Sequence, residues 1–363
     1  MLLNGLAWFT ITLCTIVIWA IVGLQALNLR EAMIKTLSQP LYKWLSEPGN
    51  SIRVLIWASA LVITLIAFLS PQGSMLNSLT GELIGISITV IIIDELAIYR
   101  DSLKEKHGII RQMASPSNDF ALDAVRLIHD NEWHEDGSLR GGRFDQANLS
   151  KAQLADADLR EANFSRAEMV NINLSGARLN DADLSYANLQ KADLQGANLT
   201  GAILTEAILE SAILRFAIMP GANLFKVNLK QANLEVANLS GVNLQYAKME
   251  QAVLIRAELI EAKLNNARLI SAELQRSNLQ DAELNDVDLT RADLRAAYLL
   301  NAQLQRANLE AADFSGANLT KANLAQAILT NFNVQGAIYD QYTIWPDEFD
   351  PNLAGALFSQ TNE

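Results

Sequence analysis

Residues 147–164 read ANLSKAQLADADLREANF, and residues 186–204 read YANLQKADLQGANLTGAIL. Both are the unit A-[ND]-L-x-x repeated in register. From Phe144 to Tyr339 a large apolar residue recurs at every fifth position, giving forty centres, thirty-two of them Leu. The others are Phe144, Phe164, Met169, Met219, Met249, Phe314, Val334 and Tyr339. Two residues before each centre stands Ala, except at Gly142, Ile172, Val227, Val242, Ser277, Val287 and Phe332. A period of five fits neither regular element. On an α-helix five steps of about 100° spiral the leucines around every face. On a continuous strand an odd period flips them from side to side. The chain must therefore turn once per repeat, keeping each centre and its preceding Ala inward.

These units resemble the pentapeptide-repeat family over about 200 of the 363 residues. The resemblance implies an all-β right-handed quadrilateral β-helix over 142–340, with four repeats per coil and inward residues stacked in ladders. Forty repeats then make ten coils, a rod of roughly 48 Å at about 4.8 Å between strands. Asn or Asp precedes the centre in twenty-one repeats. Such side chains bond locally to backbone in turns, so they read as structural. The tail YTIWPDEFDPNLAGA (342–356) resembles a sequence that follows such repeats in bacterial, notably cyanobacterial, members; Trp345, Phe349 and Leu353 are expected to cover the last coil. GELIGISITVIIIDEL (81–96) through NEWHEDGSL (131–139) resembles the membrane-linked part of some of the same proteins.

Upstream of the repeats the pattern changes twice. Region 1–98 is expected to be a membrane region, 99–141 a helical linker and cap, and 341–363 a terminal cap and tail. Residues 1–29 carry no charge, and segment 6–27 is long enough to cross a hydrocarbon core of roughly 30 Å. A signal peptide would need a positive n-region and a cleavage site, neither of which is clear. Segment 54–70 is a second span. A third, 79–98, is weaker, because only Leu83 to Ile93 lie between Glu82 and Asp94. Topology favours it: Arg30, Lys35, Lys43 and Arg53 precede the second span, Arg100, Lys104 and Lys106 follow the third, and positive charge favours the cytoplasm. The expectation is an integral protein of a bacterial inner or thylakoid membrane, in contact with the lipid bilayer, its solenoid cytoplasmic.

From Asp94 to Met113, Leu96, Tyr99, Leu103, Ile110 and Met113 fall on one helical face. Ser115-Pro116 breaks that helix. A second begins at Ser117 or Asn118, with Phe120, Ala121, Ala124, Val125, Leu127 and Ile128 as its apolar stripe. With Trp133 it is the expected cap over the first coil. His129 and His134 sit among acids, but at a spacing poor for a metal and with no third His or Cys nearby.

Composition bounds the chemistry. Half the residues are apolar but only 7% aromatic, so the core is built of small aliphatics. The single Cys14 excludes a disulfide framework. A net charge of −12 argues against nucleic acid as a partner. No Ser/His/Asp arrangement or Gly-rich phosphate loop stands out, and all three His precede the repeats. The reading is a binding or scaffolding protein, not an enzyme, with no cofactor or metal. No feature fixes an oligomeric state.

Departures from polar outward positions mark where a protein partner would dock. Ile203, Ile208, Ile213 and Ile218 form a belt around one coil. With residues twenty apart stacked, Ile213, Phe216, Val236, Val253 and Ile255 are expected on one face and Phe225 and Tyr246 on the adjacent one, together a candidate partner-binding patch. Two other readings stay open. Some family members mimic DNA and bind type II topoisomerases, but 141–340 holds eighteen Lys and Arg against twenty-three Asp and Glu, little for a phosphate mimic. An accessory role in membrane transport or assembly is the other.

Overall fold

The computed structural model describes residues 75–360. Residues from Lys104 onward form one compact unit. The elements are two helices, α1 (Met75–Met113) and α2 (Asn118–Asp130), then the solenoid, ending in two short parallel strands, β1 (Ile338–Tyr339) and β2 (Leu357–Phe358).

Every inward side chain expected from the period is out of water along the rod. Centres from Phe144 to Leu324, and the residue two before each except Gly142, are buried. Each buried Leu contributes on the order of 1.5–3 kcal/mol. Parallel bridges join residues twenty apart, Arg143 to Asn163 and onward to Asn318 with Ile338, so a coil is four repeats. Three backbone bonds join each interior repeat to the one stacked on it in the next coil, as in Leu154 N–H to Asn173 O, Asp156 N–H to Ser175 O and Asn173 N–H to Ala152 O. Corners are four-residue turns, with Ala157 N–H bonded to Leu154 O, for example. The second corner residue is left-handed throughout. From Gln146 to Gly336 thirty-nine such residues have positive φ, and only seven are Gly.

The exceptions to Ala have local causes. A β-carbon at Gly142 would collide with the Phe144 ring and the Leu139 carbonyl. Ser277 satisfies its buried hydroxyl on Leu274 O at 2.8 Å. Phe332 packs between Phe314 and Phe349 at steep ring angles, with centroids at 5.1 and 6.2 Å, where the rod ends. The ladder also starts one unit earlier than the forty centres: Leu139 is fully buried and Gly141 N–H bonds to Arg160 O.

The core of the first coil is covered by α2 and the loops beside it. Ala121, Ala124, Val125 and Ile128 bury against it with Met113. Phe120 and Leu127, expected in that stripe, face solvent, as do Leu96 and Tyr99 of α1. A helix lying on the end of a rod buries a narrower strip than its sequence offers. Ser117 holds the N-cap position without a side-chain bond; the Asn118 amide instead reaches Asn148 O and Ser150 O. Trp133 is half-buried with Lys106 Nζ 5.1 Å above its ring, and that ammonium is 2.6 Å from Asp136. At the far end Tyr339, Trp345, Phe349 and Phe358 form an aromatic cluster, whereas Leu353 is 88% exposed and covers nothing.

Spans expected at 6–27 and 54–70 lie outside the described residues. The third, 79–98, falls within α1. Among the described residues no helix is long and apolar enough to cross a membrane, and that span is corrected accordingly. The uncharged run from Leu83 to Ile93 rises only about 16 Å against a core of roughly 30 Å.

Two buried aspartates hold the ends. Asp158 bonds to Arg160 through both oxygens at 2.7 Å, and its N–H reaches His134 O in the cap. Those Arg160 bonds hold its carboxyl below the usual range against the opposing effect of burial. Asp340 is the extra residue where the twenty-residue register lengthens, since Asn323 pairs with Ile344. Its Oδ1 accepts from the amides of Lys321 and Tyr342 and the Thr343 hydroxyl. Burial raises its pKa, but these bonds outweigh it and the net shift is downward. Depressed carboxylates stabilise the fold above the unfolded value of about 3.9 and lose that contribution as pH falls through the lower folded value. Hydrogen exchange should therefore show the amides of Asp158 and Lys321 opening below about pH 4 while central coils stay protected. Asp340→Ala should open Lys321 at neutral pH, at a cost of about 1–3 kcal/mol.

Candidate functional site

Outward positions carry whatever this rod recognises, because the inward ones are fixed by packing. Asn and Asp before the centres serve the backbone. In twenty of the twenty-one, the side-chain oxygen accepts the N–H two residues on, at 2.8–3.3 Å. The exception is Asp158, committed to Arg160.

The isoleucine belt interrupts this pattern. Ile203, Ile208, Ile213 and Ile218 are each exposed on a different side, and bridges set them between Asp183, Asn188, Asp193 and Asn198 on one coil and Asn223, Asn228, Asn233 and Asn238 on the next. No side of the rod collects more than one of the four.

The expected patch divides in two. Ile213, Val253, Phe216, Val236 and Ile255 do share one side and its following corner, since each set is spaced by the twenty-residue coil. Phe225 and Tyr246 are not adjacent to them. Their repeats lie ten residues, half a coil, away, which places them at the opposite corner. There the two rings meet edge to face at 5.6 Å with Lys226 over Phe225.

At the first corner Phe216 is 47% and Val236 39% exposed, while Val253 and Ile255 are half-buried. Arg215 stacks over Phe216 at 5.1 Å and lies 3.0 Å from Glu235. Phe216 and Val236 occupy left-handed positions, φ 59° in both, and Val236 is the one β-branched residue among the thirty-nine corners. No signal in the period pointed to that strain, which emerges only once the corner conformation is known. Elsewhere His129 and His134 stack at 4.8 Å. Among the described residues no group of three or more His, Cys, Asp or Glu is placed to hold a metal ion.

Eight overlapping copies of the pentapeptide repeats model match the chain, together spanning residues 143–336. The chain belongs to the pentapeptide-repeat family. No curated protein sequence matches it. Among solved structures it is similar to HetL, a pentapeptide repeat protein involved in heterocyst differentiation regulation from the cyanobacterium Nostoc sp. strain PCC 7120. That match has 35% identity and TM-score 0.57, covering 59% of this chain and 94% of HetL. A second Nostoc PCC 7120 pentapeptide repeat protein, alr5209, matches at 30% identity and TM-score 0.15, covering 35% and 84%. QnrB1, a plasmid-mediated fluoroquinolone resistance protein, matches at 18% and 0.30, covering 47% and 92%.

The belt gives a test of how this pentapeptide-repeat rod uses its outward positions. Asn at 203, 208 or 213 can accept the N–H of Thr205, Glu210 or Arg215, whereas at 218 the acceptor would face Pro220, which has none. In chemical unfolding, I218N should be less stable than I203N, I208N or I213N by about 0.5–1.5 kcal/mol. Equal stabilities would show that the side-chain bond contributes nothing.

Proposed function

We propose that the chain is a membrane-tethered docking rod, held at a bilayer by segments 6–27 and 54–70, whose Phe216–Val236 corner receives a partner protein. The observation that carries this reading is Val236. A β-branched residue in left-handed backbone is strained by on the order of 1–3 kcal/mol, and here its side chain is left 39% exposed. A local rule broken without structural compensation is where function is to be sought. Phe216 in the next coil extends it into an apolar corner with Ile213, Val253 and Ile255 beside it, and Arg215 at its edge adds a residue type enriched in binding hot spots.

The likeness to HetL supports the rod and does not carry its partner across. Ala and Leu at two fixed places in every five residues account for much of such identity by themselves. A DNA-like surface needs unbroken negative charge, and Lys226, Lys230, Lys248, Lys263 and Arg268 interrupt it. Catalysis has no support from the outward positions, whose acids serve turns and ion pairs.

Replacing Val236 by Asn, which tolerates left-handed backbone, should leave thermal unfolding unchanged or raise it while releasing the partner that co-purifies with the detergent-solubilised chain. Phe216→Asp should release the same partner, and Tyr246→Asp, at the opposite corner, should retain it. A partner that survives both Val236→Asn and Phe216→Asp would sink the reading.

We place the rod in the cytoplasm, as expected from the sequence, with Arg100, Lys104, Lys106 and Arg111 ahead of it in its favour; with two spans this sets Arg30, Lys35, Lys43 and Arg53 of the 28–53 loop on the opposite side, against the same preference. A reporter fused at the end of the chain should give a cytoplasmic signal. An exported signal would overturn that placement and leave the 28–53 loop inside instead.

A further inference from the structure

The first coil is covered unevenly. In the second coil, Asn173 N–H, Asn173 C=O and Ser175 C=O all pair with the coil before, through Ala152 O, Leu154 N–H and Asp156 N–H. The first coil has no predecessor there, and the cap substitutes on two sides. Asn148 N–H bonds to Ser115 O, and the Asn118 amide serves Asn148 O and Ser150 O. Asp158 N–H bonds to His134 O, and Arg160 O accepts from Gly141 N–H. On the side between them nothing does so. Among the described residues, Gln153 N–H, Gln153 C=O and Ala155 C=O have no partner. A cavity of about 550 Å³ adjoins this edge, lined by Gln153, Ala155, Lys151 and Asn173 on the rod and by Leu122, Val125, Arg126 and His129 on α2. Arg143 also has open edge groups, but it does not line that cavity.

We propose that this edge is a second docking site, one that takes an extended acidic segment of a partner protein as an added parallel strand. The unpaired groups are one donor and two acceptors, in the order a neighbouring coil would satisfy. Backbone hydrogen bonds supply the affinity in that mode of recognition, and pockets read alternate side chains. Leu122 and Val125 offer the apolar wall. The charged residues in the lining, Arg126 and Lys151, are both basic; Arg126 has an exposed partner, Asp123, at 3.1 Å, and no acid lines the cavity. On a rod whose remaining surface is net acidic, a short acidic segment is steered to this basic mouth and repelled elsewhere. A phosphate would meet two carbonyl oxygens. The site stands apart from the Phe216–Val236 corner and does not depend on it.

The probe is a fluorescent peptide, Glu-Ala-Asp-Leu-Thr-Glu, blocked at both ends and titrated by anisotropy into the full chain in detergent. Saturable binding is expected. Methylating the leucine amide nitrogen of the peptide should weaken it about tenfold, the loss of a backbone bond with one edge acceptor left unpaired. Gln153→Pro, which removes a donor the fold does not use, and Lys151→Glu should each weaken it by a similar factor. Hydrogen exchange at Gln153 should slow only when peptide is present. Absence of saturable binding, or equal binding of the methylated peptide to the unaltered chain, overturns the proposal. Protection of Gln153 without peptide also overturns it: concentration-dependent protection assigns the edge to a second copy, and concentration-independent protection to this chain's own residues.

Discussion

Two inward side chains in every five residues leave the backbone one way to close, a sharp turn whose second residue is left-handed. That conformation costs an ordinary residue roughly 1–2 kcal/mol, and thirty-two of the thirty-nine corners are not Gly. The rod persists because each repeat offsets the cost locally, with a buried Leu, a buried Ala and three bonds to the next coil. Stability is thus a sum of nearest-neighbour terms. No central core exists whose loss would unfold the whole, and outward positions vary at no more than a local cost in turn bonds or corner strain.

A structure of this kind has two problems, both at its ends. The first coil exposes donors and acceptors that every later coil pairs, and the last exposes its core side chains. The chain answers with unlike devices. At the start it lays a helix across the opening and lends Ser115, Asn118 and His134 to the edge. At the finish it inserts Asp340, lets that carboxylate stand in for a backbone carbonyl, and returns β2 beside β1 under an aromatic cluster. The finish relies on the Asp340 carboxylate, which accepts several hydrogen bonds at once, whereas the start uses backbone, Asp158 N–H on His134 O.

The winding was legible because its signal repeats forty times and admits neither helix nor strand. Gly142 and Ser277 were visible as exceptions, but their reasons needed neighbours: the Phe144 ring and the Leu274 carbonyl. Leu139 stands five residues before Phe144, in phase with the forty centres, with Gly137 two places before it as Gly142 is before Phe144, so the period itself reaches it. The pairing of Phe225 and Tyr246 with the Phe216 corner failed on arithmetic of the coil. Residues twenty apart stack, and the same rule sends those ten apart to the opposite side. The stripes on α1 and α2 overstated burial at Leu96, Tyr99, Phe120 and Leu127, since periodicity tells which face is apolar and not how much of it finds a neighbour.

Breaks in the repeat are then not equal as guides to function. The isoleucine belt substitutes side chains that strands accept readily and places one on each side of the rod; at Ile218 it forgoes a turn bond that Pro220 could not have made in any case. It fits a tolerated variation. Val236 differs in kind, because Gly or Asn would relieve the strain and either occurs at other corners, as Gly221 and Asn266 do. Val236 is exposed, stands against the local backbone preference and lies beside Phe216, which is why the proposed docking corner is centred there. The unpaired edge at Gln153 differs from the open groups at Arg143 in facing a cavity, and that combination, backbone in place of side chain, is what the second proposal rests on.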